Sequence, residues 1–203
     1  MLFSAYAQGR PVVRSLRNPL LREDHVCPWW LVYTFDNPLR RLLHDPSALL
    51  AGLVRDGMTV ADIGCGRGYF TIAMAGMVGD AGTVIAVDIQ QKMLDMMLKR
   101  ATRAGRAPRI RPVLAAPDDI GIRGPVDFIL AFWMAHEVED PARFFNQAFS
   151  VLKEKGKMLV AEPKMHVGQS RFREILQAAR DAGFRDNDAP AIRLSRAVLL
   201  ERN

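Results

Sequence analysis

The residues best suited to chemistry begin at Asp62. The run Asp62-Ile63-Gly64-Cys65-Gly66-Arg67-Gly68 sets one carboxylate ahead of three glycines at alternate positions. Glycine serves where a side chain would block a sharp turn or the close approach of a ligand. A carboxylate there repels a pyrophosphate but accepts hydrogen bonds from a cationic amino group, directly or through water. Two common nucleotide loops fail on spacing. Counted from Gly64, the dinucleotide fingerprint needs glycine where Tyr69 stands, and no Gly-Lys-Ser/Thr follows to make a P-loop. About twenty residues after Gly68 comes Asp88, placed to hold the two hydroxyls of a ribose. Together the acids ask for a ligand with a ribose and an amino-acid end but no phosphate.

Such groups need elements to position them. Thr59 to Ile63 is a short β-branched run suited to a buried strand, and Tyr69-Phe70-Thr71-Ile72-Ala73-Met74-Ala75 starts a helix. A strand, a glycine turn and a helix N-terminus form a nucleotide-site constellation at the carboxyl edge of a parallel sheet. Strand two, Thr83 to Val87, ends in Asp88. A helix over Gln90 to Ala104 carries Met93, Leu94, Met97, Leu98 and Ala101 on one face, methionines that fill a core rather than ligate a metal. Strand three is expected at Ile110 to Leu114, strand four at Val126 to Ala131, and a helix at Pro141 to Leu152. Glu154 to Lys157 reads as the turn into strand five, Met158 to Ala161. A helix from Ser170 to Ala182 ends at Gly183, and Ile192 to Glu201 suits one or two edge strands.

These motifs resemble the class I S-adenosylmethionine-dependent methyltransferases, above all the small-molecule branch related to the quinone and menaquinone methylases. The resemblance covers Ala48 to Glu201 and rests on the Asp62 to Gly68 loop, Asp88, and the strands Asp127 to Ala131 and Gly156 to Val160. It implies an α/β fold: a Rossmann-like, doubly wound, mostly parallel seven-stranded sheet with helices on both faces. The last strand inserts antiparallel beside strand five. Residues 1–47 form an N-terminal arm and cap, and 48–203 the cofactor-binding domain. The cofactor implied is S-adenosyl-L-methionine, contacted by Asp62, Gly64, Cys65, Gly66, Gly68, Tyr69, Asp88, Ile89, Ala116, Pro117 and Ala131. Many relatives carry an acid near Ala116 for the adenine amino group; alanine here leaves that contact to backbone groups or to Asp118.

The segments after strands four and five face the ligand crevice. A sulfonium methyl is already electrophilic, so in-line placement of the nucleophile supplies most of the rate, and a base is needed only for a protonated acceptor. His136 and Glu162 are the catalytic candidates; Tyr33, Trp133, Glu137 and His166 are candidates for binding substrate, with Lys164 nearby. His136, Glu162 and His166 match no metal-ligand spacing, so no metal is expected. The resemblance also separates reaction classes. The Asn/Asp-Pro-Pro-aromatic motif for base amino groups, the Pro-Cys nucleophile for cytosine, the magnesium acids of catechol-type enzymes and the thiol set of arsenic-type relatives are all unmatched. The expected acceptor is a small organic molecule methylated at O, N or C. Two alternatives stand beside it: an RNA methyltransferase using the basic clusters, and a non-catalytic S-adenosylmethionine-binding protein.

With 203 residues and 49% hydrophobic content, one domain with an ample core is expected. No apolar run approaches the roughly 20 residues of a membrane helix, and Met1 to Gln8 lacks the pattern of a signal peptide. Two cysteines, Cys27 and Cys65, make no disulfide framework and fit a reducing cytoplasm. The net charge of +6 gathers in Arg10, Arg14, Arg17 and Arg22, and again in Lys99, Arg100, Arg103, Arg106, Arg109 and Arg111. The second cluster follows a helix C-terminus, where the dipole favours cations, and lacks the interleaved aromatics of a nucleic-acid face. Trp29, Trp30, Tyr33 and Phe35 are too much aromatic surface for a free linker, and either wall the substrate pocket or pack an N-terminal helix on the sheet. Leu39 to Val54 reads as a helix with a new start at Asp45-Pro46. No stretch marks a subunit interface.

Overall fold

The computed structural model of the chain describes residues 43–202. Tyr33, the other aromatics of 29–35, Cys27 and the first arginine cluster lie outside the described residues. The chain is helical at Leu43, breaks at His44 and Asp45, and restarts in α1 (Pro46–Leu49). The restart has a local cause: Pro46 occupies the first turn and the Asp45 carboxylate accepts from Ser47 N–H at 3.0 Å.

Seven strands form one sheet in the order β3-β2-β1-β4-β5-β7-β6. β1 (Thr59–Ile63), β2 (Thr83–Asp88), β3 (Ile110–Leu114), β4 (Val126–Phe132) and β5 (Leu152–Pro163) are mutually parallel. β7 (Ser195–Glu201) runs antiparallel between β5 and the short edge strand β6 (Arg185–Asn187). The chain winds outward from β1 to β3, then returns to lay β4 on the other side of β1. That reversal opens a crevice outside the carboxyl ends of β1 and β4.

β1 is buried at every residue after Thr59, as a parallel strand covered on both faces must be. Side chains alternate between two cores. Val60, Val84, Phe128, Leu130 and Leu159 pack with Met74 of α2 (Tyr69–Met77) and Met97 of α3 (Gln91–Arg103). Ile63, Ile85, Val87, Ile129 and Val160 pack on the opposite face with Phe144 and Phe145 of α4 (Pro141–Val151) and Ile175 of α5 (Gln169–Asp181). Met93 and Met97 of α3 are core residues, as their spacing implied. α5 ends in a Schellman motif, with Gly183 at φ +103°, Gly183 N–H on Arg180 O at 2.9 Å and Phe184 N–H on Ala179 O at 3.1 Å.

The start of strand five differs most from expectation. Glu154 to Lys157 is not a turn ahead of strand five but a bulged part of β5, which starts at Leu152. Val126 pairs with Leu152 and Phe128 with Lys157, so the intervening residues loop out of register with Lys155 at φ 61°. The end of the chain satisfies the displaced backbone: Lys155 N–H donates to Arg202 O and Arg202 N–H to Gly156 O. Among the described residues no helix is long and apolar enough to cross a membrane.

Candidate functional site

The three glycines of the loop do different work, although all have positive φ. A Cβ on Gly64 would stand 2.8 Å from the Met134 side chain, and one on Gly68 would stand 2.5 Å from Met97 Cγ. Both are glycine because neighbouring elements close on them. A Cβ on Gly66 would meet nothing within 4 Å, so this residue faces open space. The loop is pinned to β2, with the N–H groups of Gly64 and Cys65 on Val87 O and that of Gly66 on Asp88 Oδ2 at 2.9 Å. Asp62 is almost fully buried and accepts a short hydrogen bond from the Thr71 hydroxyl, which ties β1 to the first turn of α2. Burial, then the charges of Asp62 and Asp88, push the Cys65 thiol well above its usual range, which disfavours the thiolate.

Asp88 is the hub of the crevice's left half. Its Oδ2 accepts Gly66 N–H and its Oδ1 accepts Gln90 N–H, each at 2.9 Å. Burial raises its pKa, and the backbone N–H groups of Gln90, Gly66 and Ile89 partly oppose that shift. A carboxylate offers about four lone-pair directions, so accepting capacity remains beside these backbone donors. Ile89 follows it, apolar yet 45% exposed. The turn after β3 is tethered alongside, with Ala115 N–H on Asp88 O at 3.0 Å, and it leaves Ala116 and Pro117 exposed at the crevice rim.

The right half is built by the ends of β4 and β5. Trp133 takes φ 60°, unusual for a bulky residue, and is held there by its N–H on Ala161 O at 2.7 Å and its indole N–H on Ser195 Oγ at 2.9 Å. The turned chain then forms one helical turn, Ala135–Glu137, which sets His136 against Glu162. His136 Nδ1 contacts Glu162 Oε2, and Glu162 Oε1 accepts Ala135 N–H at 2.9 Å. A carboxylate accepts, so Nδ1 carries the proton and the lone pair lies on Nε2. Burial pulls the imidazole pKa down; the hydrogen bond and charge of Glu162, with the charge of Glu137, outweigh it and hold the pKa above the usual value. Glu137 approaches Nε2 to 4.0 Å.

The other expected site residues stand in varied settings. Glu162 is fully buried, with both oxygens engaged, so it can position His136 but cannot reach a ligand. Ala131 is fully buried in β4 between Ile63 and Val160, where its side chain belongs to the core under α4 and α5 rather than to the crevice. The Tyr69 hydroxyl donates to His44 O at 2.9 Å, which anchors the incoming chain to the loop's helix. Asp118 leans toward Arg143 at 3.7 Å and is 69% exposed. His166 is exposed on the turn after β5. Among the described residues no group of three His, Cys, Asp or Glu side chains is arranged to hold a metal ion.

Three contributors escaped the sequence reading. Thr71 lies in a helix nine residues from its carboxylate, Ser195 sits 62 residues from the indole it receives, and His44 reaches across 149 residues to Arg193 O at 2.8 Å. The buried His44 ring also stands edge-on to Phe132 and Trp133. Only the fold brings these partners together, so no local pattern could reveal them. The second basic cluster is partly structural: Arg100 donates to Arg67 O at 2.9 Å, and Arg109 pairs with Asp80 and donates to Ala75 O.

Comparison with known proteins agrees with this geometry. The family described as methyltransferase domain matches residues 54–187. The ubiquinone/menaquinone biosynthesis C-methyltransferase of an Enterobacter species is 31% identical over 110 residues, 54% of this chain and 44% of that protein. The ubiquinone biosynthesis O-methyltransferase of Caulobacter vibrioides is 31% identical over 106 residues, 52% of this chain and 41% of that protein. The chain thus spans less than half the length of these curated relatives. A crystal structure of a SAM-dependent methyltransferase from Aquifex aeolicus superposes with a TM-score of 0.76 at 24% identity, covering 87% of this chain and 99% of that one, a likeness of fold. With its glycine loop, its Asp88 and a family match over most of the sheet, the chain belongs to the methyltransferase-domain family and has the Rossmann-like fold of the S-adenosylmethionine-dependent enzymes.

Proposed function

We propose that the chain transfers the methyl group of S-adenosyl-L-methionine to a small organic acceptor. The observation that carries this reading is Asp88, at the end of β2, whose carboxylate holds the glycine loop through Gly66 and keeps accepting capacity for a hydroxyl donor. A ribose fits that capacity. The open space at Gly66 leaves room for the cofactor's backbone-hugging middle, and the acids Asp62 and Asp88 suit a ligand without phosphate. Bound there, S-adenosylmethionine supplies a methyl group on a sulfonium; the carbon–sulfur bond breaks as the bond to the acceptor forms.

His136 then acts on the acceptor. With Nδ1–H on Glu162, its Nε2 can take the acceptor's proton as the methyl arrives, and the elevated pKa makes it a better base. Glu162 fixes the ring and compensates the charge it gains. Glu137, Trp133 and His166 line the same side and are the proposed acceptor contacts, with Ile89, Ala116 and Pro117 at the nucleobase end. Calorimetric titration with S-adenosylmethionine and with NAD tests the reading. Binding of the first alone supports it, and binding of neither moves the chain to a non-catalytic role.

A further inference from the structure

We infer that this site reads the nucleobase of its cofactor by apolar contact and not by hydrogen bonds, so that it tolerates replacement of adenine. The inference rests on the cofactor reading above. Strand order fixes where the base lies: the amino-acid end belongs at β1, the ribose at Asp88 on β2, and the next strand outward is β3. The base therefore lies against the segment after β3, residues 115–119, which Ala115 N–H tethers to Asp88 O.

That segment has little left to offer a base edge. Ala115 N–H is spent on Asp88 O, Ala116 N–H on Asp119 O at 2.9 Å, and Pro117 has no N–H. Ala116 O accepts Asp119 N–H at 3.2 Å. The carboxylates point elsewhere: Asp119 holds Arg123 and accepts Gly121 N–H at 2.8 Å, while Asp118 leans toward Arg143. Nor can the turn readily rearrange to free them. Gln147 of α4 clamps it from behind, accepting Ile120 N–H at 2.9 Å and donating to Asp118 O at 2.7 Å. What faces the base is apolar: Ile89, 45% exposed beside the ribose carboxylate, and the side chains of Ala116 and Pro117.

The consequence follows from how discrimination works. A site built to hydrogen-bond a polar group rejects an analogue lacking it by about 10⁴–10⁵, whereas an apolar pocket separates such isosteres far less. Exchanging the adenine amino group for an oxo group reverses the donor and acceptor pattern of the edge and tests both halves of that pattern. The experiment is calorimetric titration of the full chain with S-adenosyl-L-homocysteine and with its deaminated analogue S-inosyl-L-homocysteine. The expected dissociation constants differ by less than about tenfold, because no buried hydrogen bond is lost. In Ala116→Asp, which restores an acceptor at the exposed rim, the preference for the adenine compound should rise several-fold. A wild-type ratio above about tenfold, or no change of ratio in Ala116→Asp, overturns the inference while leaving the cofactor reading intact. Failure of S-adenosyl-L-homocysteine itself to bind overturns both.

Discussion

His136 and Glu162 stand 26 residues apart in sequence yet meet across adjacent strands, imidazole Nδ1 on a carboxylate that is fully buried. A buried carboxylate beside an imidazole lowers the cost of putting a proton on the ring, which is why the pKa of His136 is raised in spite of its burial. If Nε2 is the base, activity requires the neutral ring and falls as the pH drops through that raised value. Glu162→Gln keeps a hydrogen-bonding group of the same shape but removes the charge. The acid limb of kcat/KM should move to lower pH, with a lower plateau. A limb that stays in place would remove His136 from the proton step. His136→Asn should cost about 10²- to 10⁴-fold in turnover and leave S-adenosylmethionine affinity unchanged.

The same pair makes folding stability pH-dependent. A histidine with a raised folded pKa contributes stability that is complete below its unfolded pKa of about 6.5 and is lost as pH rises through the folded value. Denaturant midpoints measured from pH 6 upward should therefore decline for the wild type through the neutral range, with a shallower decline in Glu162→Gln. Parallel curves would mean that the pair is not coupled in solution as its geometry implies.

Asp88→Ala should weaken S-adenosylmethionine binding by about 1–3 kcal/mol, since it removes the proposed ribose acceptor and frees the Gly66 N–H. Affinity should also fall on acidification. The pKa of Asp88 is raised by burial, so protonation begins above the ordinary carboxylate value and removes acceptor capacity there. Calorimetry across the acid range reads both effects. Wild-type affinity in the mutant would displace the ribose from this carboxylate.

Much of this was legible in the chain because parallel strands buried on both faces are continuous apolar runs. β1 begins and ends where its pattern does, and Asp88 closes β2 as its spacing implied. β6 left no such mark: Arg185–Asn187 is polar, and becomes a strand only because β7 offers it an edge. The early start of β5 was hidden by Lys155 and Gly156, which read as a turn but form a bulge within the strand. At the site, the types and edges of His136 and Glu162 were readable, but not their contact. Burial divided their roles, and burial of a polar residue at a strand end has no sequence signature.

The glycines of the loop permit a separation of stability from binding. Gly68→Ala puts a methyl group 2.5 Å from Met97 Cγ and forces an L-residue into φ +79°, so it should lower the melting temperature clearly. Gly66→Ala meets only the backbone term, about 1–2 kcal/mol, because nothing lies within 4 Å. Its new methyl group projects into the space assigned to the cofactor. Gly66→Ala should thus be the milder variant in thermal melts and lose most of its S-adenosylmethionine affinity. The opposite ranking in melts would show that the loop is packed otherwise than described.

Thr71→Val probes the contact that joins strand and helix beneath the loop. The side chains are nearly isosteric, so packing in the fully buried site is preserved, but the hydroxyl that donates to Asp62 is gone. A buried carboxylate deprived of a donor keeps its desolvation penalty without the compensation, at a cost of about 1–3 kcal/mol. At about 2–4 °C per kcal/mol for a chain of this size, the melting temperature should fall by roughly 2–12 °C. Thr71→Ser keeps the donor and should retain most of the stability that Thr71→Val loses. Asp62 also opens the loop proposed to position the methionyl end, so Thr71→Val should weaken S-adenosylmethionine binding, whereas NAD should bind neither form. Equal melting temperatures for the serine and valine variants would mean that the Asp62 carboxylate draws its support from elsewhere.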